Sequence, residues 1–576
     1  MVGVESLPDL ASLADLLAYR AREQPNDRAY VFLSERGGEE AVLTFAELER
    51  RAGMVAARLA AQLREGDRAL LVFPAGLDFV VAFFGCLKAG VIAVPMMVPR
   101  RASTHDSRAA IVADCRPPLA MTTADLAAVR PDVIQRYRDA GLDWLLLDAD
   151  DPAAGRPPLA VPPRGRTDIA FLQYTSGSTS SPKGVVVTHG NLLENLEMIR
   201  LALGSTRAST IVSWVPLYHD MGLILNALHS LYVGAPCVLM PPVSFIRRPL
   251  AWLQAIHTYQ AELTTAPNFA FDMCVSRFRA EQMKDVDLSC WKLAMNAAEP
   301  VRADTMARFA ATFAPYGFDA RVMYPAYGLA EATVMVSGSR RGGGPILRTV
   351  SRSAIQRNQI TAPAGERDGC VVVGCGRSLA GERVAIVHPE SHARLGPEEI
   401  GEVWVAGPNV TGGYWQNQEA TTAVFRARID GEDGEFWLRT GDLGFLDSGG
   451  ELFITGRIKD VIIIRGMNHY PQDIENSMQD SHPALRRHCG AAFTMVGENG
   501  DERLILVQEV ERAAAQGISI EDISGSIREA VFNDHEVAVH AVVLIRPGSI
   551  PKTTSGKIQR SLTRKLWQEG LLEVLG

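Results

Sequence analysis

Residues 174–184 read YTSGSTSSPKG, a run dense in Gly, Ser and Thr that closes on Lys183-Gly184. An apolar stretch, IAFLQYT (169–175), leads straight into it, and NLLENLEMIRLAL (191–203) has helical character after it. A strand delivering such a loop presents backbone N–H groups and hydroxyls to one concavity. A terminal lysine adds positive charge, so the loop suits an anion. It is not a P-loop. That pattern puts Gly before its Lys and Ser or Thr after it, whereas Pro182 and Gly184 flank Lys183 here.

Working outward, the chain alternates helix and strand. Thr44 and Glu47 form a capping-box pattern ahead of an apolar stripe, Phe45, Leu48, Ala52, Val55, Leu59 and Leu63. RALLVF (68–73) reads as a strand, GLDFVVAFFGCLKAG (76–90) as a buried helix and VIAVPM (91–96) as a second strand. Strands joined through helices make a parallel sheet covered by helices. DPAAGRPPLAVPPRGR (151–166) reads as a surface linker, and SRRGGGP (339–345) opens a Gly- and Arg-rich segment. Beyond residue 458 the character changes. ERLILVQEV (502–510) and VAVHAVVLIR (537–546) read as strands, EDISGSIREAVFNDHE (521–536) and SLTRKLWQEGLLEVL (561–575) as helices. The expected class is α/β: a large N-terminal domain of several subdomains (1–458), with sheets covered by helices. A small α+β C-terminal domain (459–576) follows it.

Composition narrows the function. A chain of 576 residues with 47% hydrophobic and 22% charged residues is globular and too long for one core. A formal net charge of −8 argues against nucleic acid as the main partner. The eight cysteines form no CxxC, which suits reduced thiols in a cytoplasmic protein. The start lacks a signal-peptide pattern, and no run is apolar and long enough for a membrane span.

Seven stretches together carry a resemblance. YTSGSTSSPKGVVVTHGNL, WVPLYHDMGL (214–223), MNAAEP (295–300), MYPAYGLAEAT (323–333), LRTGDLG (438–444), GRIKDVIIIRG (456–466) and PKTTSGKIQR (551–560) resemble, in order, the motifs of the acyl-adenylate-forming enzymes. Within them, LQYTSGST, PLYHDMGLI, TTAPNFAFDMC, YGLAEAT and GMNHYPQDIE are similar to the fatty acyl-AMP ligases. So is an extra segment at about 340–372, which acyl-CoA ligases lack.

The resemblance implies attack of a fatty carboxylate on the α-phosphorus of ATP, with loss of pyrophosphate. An anion attacks an anion, so the site must neutralise and align more than supply a covalent group. Lys557 is implied as the central cation between carboxylate and α-phosphate. Thr175, Ser176, Gly177, Ser178, Thr179 and Lys183 would wrap the β- and γ-phosphates, and Glu331 would hold Mg²⁺. Asp442 would accept from the ribose hydroxyls and Arg457 add a donor. Tyr327, followed by Gly328, would stack on adenine, with Ala297, Ala298 and Glu299 along its edge. Without the resemblance, Tyr327 and Asp442 read as a core tyrosine and a capping aspartate. His219 would line the mouth of the carboxylate pocket with no acid–base role, and Met221, Gly222 and Ile224 would wall an acyl tunnel. Lys459 occupies the hinge slot about which the small domain turns after adenylation.

The inserted segment implies a phosphopantetheine thiol on a separate acyl carrier protein as acceptor, rather than CoA. Arg486, Arg487, Arg564 and Lys565 are candidates for docking that carrier. A fatty acyl-CoA synthetase and an inactive acyl- or nucleotide-binding protein are the alternatives; retention of Lys557, Asp442 and Glu331 argues against the second.

Overall fold

The structure, a computed structural model, describes residues 7–99, 107–139, 141–147, 163–175, 182–464, 467–496, 502–511, 519–553 and 556–575. The expected helical stripe forms as far as Leu59, while Leu63 lies beyond the helix end, partly buried against the same core. Phe45, Leu48, Ala52, Val55 and Leu59 of the helix Phe45–Ala60 are buried in one core. Thr44 caps this helix, its hydroxyl accepting from the Glu47 amide at 3.2 Å. The box closes from that side alone, because Glu47 turns its carboxylate to Arg50.

Strand Arg68–Val72, helix Asp78–Ala89 and strand Ile92–Met96 make the expected unit, the two strands parallel. They sit in a six-stranded sheet ordered Asp143–Leu147, Leu119–Thr123, Arg68–Val72, Ile92–Met96, Ile169–Thr175 and Lys183–Thr188. The last strand departs from the expected strand-to-helix passage. Lys183–Thr188 returns antiparallel to Ile169–Thr175, with Thr175 opposite Lys183. The helix His189–Leu203 begins only after this second strand. Of the 151–166 linker, residues 163–166 are described, and Arg164 is buried against Glu65 at 2.6 Å rather than loose on the surface.

A nine-stranded sheet places the site. Its central strands Met323–Tyr327, Leu293–Asn296, Leu263–Ala266, Ile211–Ser213, Cys237–Leu239 and Arg28–Leu33 run parallel. Parallel strands share one carboxyl edge, and ligands bind beyond it. The segments carrying His219, Phe269, Ala297–Glu299 and Gly328–Glu331 all leave strands at that edge. A four-stranded antiparallel sheet, Arg383–Val387, Gly401–Ala406, Leu438–Leu446 and Leu452–Arg457, sets Asp442 directly opposite Arg457.

After the one-turn helix Ile458–Asp460 comes the C-terminal unit. Strands Leu485–Val496, Glu502–Val510 and Val539–Ile545 are covered by helices including Pro471–Asp480 and Ile520–His535. The last helix is shorter than its sequence suggests. Arg560–Gln568 stops because Gly570 takes φ +67° and the Leu571 amide turns back to the Leu566 carbonyl at 2.8 Å. The 340–372 segment folds into strand Leu347–Ser351 and helix Arg352–Ile355, then returns to strand Gly369–Val373. Val350, Ile355 and Ile360 pack with Leu443, Phe445 and Phe453 and also with Tyr470 of the C-terminal unit. The Asn468 amide donates to the Gln356 carbonyl at 3.0 Å, a second tie to that unit. Among the described residues, no helix is long and apolar enough to cross a membrane.

Gly222 lies in the wide-turned helix Met221–Leu228, where a Cβ would stand 2.2 Å from the Pro216 carbonyl oxygen. Gly222→Ala should therefore displace the segment carrying His219 and cost about 1–3 kcal/mol. A lower melting temperature than wild type checks this; an unchanged one contradicts the packing described.

Candidate active site

The site forms where the carboxyl edge of the nine-stranded sheet meets the four-stranded sheet and a loop of the C-terminal unit. That loop is a small closed turn. The Thr553 amide donates to the Lys557 carbonyl at 2.7 Å, and the Lys557 amide donates to Thr553 Oγ1 at 3.0 Å. Gly556 takes φ +91° and lies against Phe269, whose ring is 2.9 Å from where a Cβ would be. Lys557 is thereby held half-buried, among Arg457, Asp220, Glu299 and Asp442. Desolvation, then the Arg457 guanidinium, lower the pKa of its ammonium, while Asp220, Glu299 and Asp442 pull it back up.

The carboxylates are fixed by their own partners. Asp442 is 5% exposed and accepts from Tyr327 Oη at 2.6 Å and Arg457 Nε at 2.9 Å. The Asp442 charge holds Arg457 well above its ordinary pKa. Asp220 caps the wide helix, accepting from the Met221 amide at 2.7 Å, with His219 Nδ1 equally close. Burial opposes its ionisation, yet His219, Lys557 and the Met221 amide outweigh that and hold its carboxyl below the usual range. Glu299 accepts from the Phe269 amide at 2.5 Å, so this side chain faces the Lys557 loop's seat. Its neighbour Ala298 has φ +71°, strain that often marks a functional turn.

Glu331 stands on a short turn, where burial raises its carboxyl pKa and the Tyr414 hydroxyl, donating at 2.8 Å, lowers it. The same Tyr414 ring supports Lys183, whose Nζ lies 4.9 Å from the ring centroid. A magnesium ion takes one or two carboxylates, with phosphate and water as the rest. Glu331 would offer one such carboxylate, and a bound cation would offset the burial that disfavours its charged form. Among the described residues no group of three His, Cys, Asp or Glu side chains could hold a metal, so substrate phosphates would have to complete the shell.

The predicted residues are thus largely brought together: Lys557, His219, Lys183, Ala297, Ala298, Glu299, Tyr327, Asp442, Arg457 and Glu331. Gly328 is required by close approach, since a Cβ would stand 1.8 Å from the Val334 carbonyl oxygen. Thr175 ends its strand at the loop, while Ser176, Gly177, Ser178 and Thr179 lie outside the described residues. Met221, Gly222 and Ile224 are buried behind His219. Lys459 lies in the one-turn helix between the two units. Of the carrier candidates, Arg564 is exposed and the other three carry ion pairs. Arg486 pairs with Glu509 and Glu511, Arg487 with Asp480 and Asp304, and Lys565 with Glu569. Asp220, Phe269 and Tyr414 escaped the sequence reading. Asp220 sits inside LYHDMG beside His219, whereas nothing in GGYW marks Tyr414 as more than a core aromatic.

Lys557, Arg457 and Lys183 gather with the carboxylates Asp220, Glu299, Asp442 and Glu331, an arrangement suited to anionic substrates. Comparison with known proteins agrees. A family profile described as AMP-binding enzyme matches residues 17–415, and one described as Disco-interacting protein 2-like, AMP domain, matches residues 459–575. The chain belongs to the AMP-binding enzyme family. It is 44% identical, over 99% of its length and 97% of the relative's, to the medium-chain-fatty-acid–(acyl-carrier-protein) ligase JamA of Moorena producens. It is 37% identical, over 97% of its length and 98% of the relative's, to the putative fatty-acid–CoA ligase fadD25 of Mycobacterium tuberculosis. The fatty acyl-adenylate ligase of Legionella pneumophila, solved with acyl adenylate and pyrophosphate, superposes with a TM-score of 0.75 at 37% identity, covering 98% of this chain and 97% of that one.

Tyr414→Phe keeps the ring under Lys183 and removes the hydroxyl from Glu331; Tyr414→Leu removes both. The first should slow ATP–pyrophosphate exchange about 3- to 10-fold and raise the magnesium requirement, the second should slow it further. Equal rates for the two variants would contradict the separate contacts.

Proposed function

We propose that this protein activates a medium- or long-chain fatty acid with ATP and passes the acyl group to the phosphopantetheine thiol of a separate acyl carrier protein. In the first half-reaction a carboxylate oxygen bonds to the α-phosphorus and the bond to the bridging oxygen breaks, releasing pyrophosphate. In the second the thiolate attacks the acyl carbonyl and AMP leaves. The observation that carries this reading is Lys557 of the C-terminal unit, turned into the cleft among Asp220, Glu299 and Asp442.

Each residue then has a task. Lys557 meets the carboxylate and α-phosphate where charge crowds most, a preorganised electrostatic role. Asp442, already held by Tyr327 and Arg457, accepts from the ribose hydroxyls. Lys183 and the adjoining loop hold the β- and γ-phosphates. Glu331 would help hold magnesium, which when bound would supply charge neutralisation. His219 and the buried Met221, Gly222 and Ile224 guide the acyl chain. Lys459 serves as the hinge about which Lys557 later withdraws.

The carrier protein is favoured over CoA by the name of the relative JamA and by the insertion. Its contacts to Asn468 and Tyr470 oppose free rotation of the C-terminal unit. The name of the relative fadD25 keeps CoA as the competing acceptor. Incubation with ATP, magnesium and dodecanoate, with and without CoA, separates the two by mass spectrometry. Dodecanoyl-AMP persisting beside CoA is the expected result; rapid dodecanoyl-CoA would overturn the carrier assignment.

The pH dependence follows from Lys557. Its ammonium is the active form and its pKa lies below the ordinary lysine value, so kcat/KM for adenylation should fall as pH rises through that lowered value. Bound phosphate favours the charged form, so the alkaline limb of kcat should lie at higher pH than that of kcat/KM. Coincident limbs, or a limb retained in Lys557→Ala, would contradict the assignment.

A further inference from the structure

The helix Asn268–Ser276 leaves the carboxyl edge of the nine-stranded sheet and meets the C-terminal unit twice. Phe269 touches Gly556, the neighbour of Lys557. One turn further on, Asp272 meets His488 of the strand Leu485–Val496, the imidazole Nε2 on a carboxylate oxygen. Asp272 is 6% exposed and is also held by the Thr305 hydroxyl at 2.9 Å and by the Arg308 guanidinium. His488 is fixed as firmly from its own side. It takes φ +57°, and its amide donates to Gln479 Oε1 at 2.7 Å. That left-handed turn coincides with the register shift in its strand between Leu485 and Gly490, a bulge of the kind that re-aims a side chain. Next to it, Arg487 reaches Asp304 across the same seam at 3.8 Å.

We propose that His488 and Asp272 are a positioning pair that seats the C-terminal unit, and with it Lys557, for the adenylation half-reaction. The inference rests on the proposed acid activation. Two contacts on one rigid helix fix both the place and the rotation of the incoming loop, which Phe269 against Gly556 alone does not. A small misplacement of a reacting group costs much of the gain from alignment. The contact is also built to release. When the C-terminal unit turns away, Asp272 keeps Thr305 and Arg308, so no buried carboxylate is left unpaired. His488 touches none of the reacting atoms and acts only through where Lys557 stands.

The test is ATP–pyrophosphate exchange with dodecanoate for wild type, His488→Leu and His488→Gln, with KM for ATP and dodecanoate and the melting temperature of each. Gln can place an N–H near the position of Nε2; Leu cannot. His488→Leu should lose about tenfold to a hundredfold in kcat with both KM values and the melting temperature near wild type, and His488→Gln should recover most of the rate. Wild-type exchange by His488→Leu would overturn the inference. So would equal losses for Leu and Gln, or a loss confined to KM. Should His488→Leu fail to fold, His488→Ala carries the same comparison with Gln. A wild-type enzyme without exchange on any fatty acid would refute the proposed function, and the inference with it; an active wild type leaves the variants to decide the positioning role alone.

Discussion

An ammonium group must stay charged in a crowded cleft, and the arrangement around the site follows from that constraint. Desolvation and Arg457 push Lys557 toward neutrality, and Asp220, Glu299 and Asp442 oppose them. None of those carboxylates is left loose. Asp442 is held by Tyr327 and Arg457, Asp220 by the Met221 amide and His219, Glu299 by the Phe269 amide. Fixed partners keep the field at Lys557 fixed, so the enzyme need not reorganise its charges when the anionic reactants arrive.

The fold serves this convergence through strand direction. Parallel strands deliver their following loops to one edge, so residues far apart in sequence reach one cleft. The antiparallel sheet adds Asp442 and Arg457 as a cross-strand pair. The C-terminal unit adds Lys557 on a closed turn, against the helix that also holds Asp272. The 340–372 segment packs on both parts at once, joining the mobile element of the proposed cycle to the static one.

Much of this was legible in the sequence, for identifiable reasons. The stripe from Phe45 to Leu59 and the unit at 68–96 follow from apolar periodicity, and burial realises them. The residues that meet around Lys557 were picked out by the resemblance of seven motifs, and the roles it implies for them belong to the proposed function. What escaped depends on three-dimensional partners. The strand Lys183–Thr188, returning antiparallel to Ile169–Thr175, is set by pairing across the sheet rather than by a local pattern. Glu47 has the pattern of a capping box but finds Arg50 closer to hand. Tyr414 and the His488–Asp272 contact join residues distant in the chain, a relation that no local pattern encodes. Arg486 and Arg487 carry ion pairs with Glu509 and Asp480 that the linear sequence does not show.

The central claim is that Lys557, delivered by the C-terminal unit, is what makes the cleft competent for adenylation. The direct measurement is single-turnover formation of dodecanoyl-AMP by Lys557→Met, alongside ATP binding by the same variant. The account predicts ATP binding near wild type and adenylate formation slowed at least about a hundredfold. Adenylate formed at the wild-type rate would contradict it.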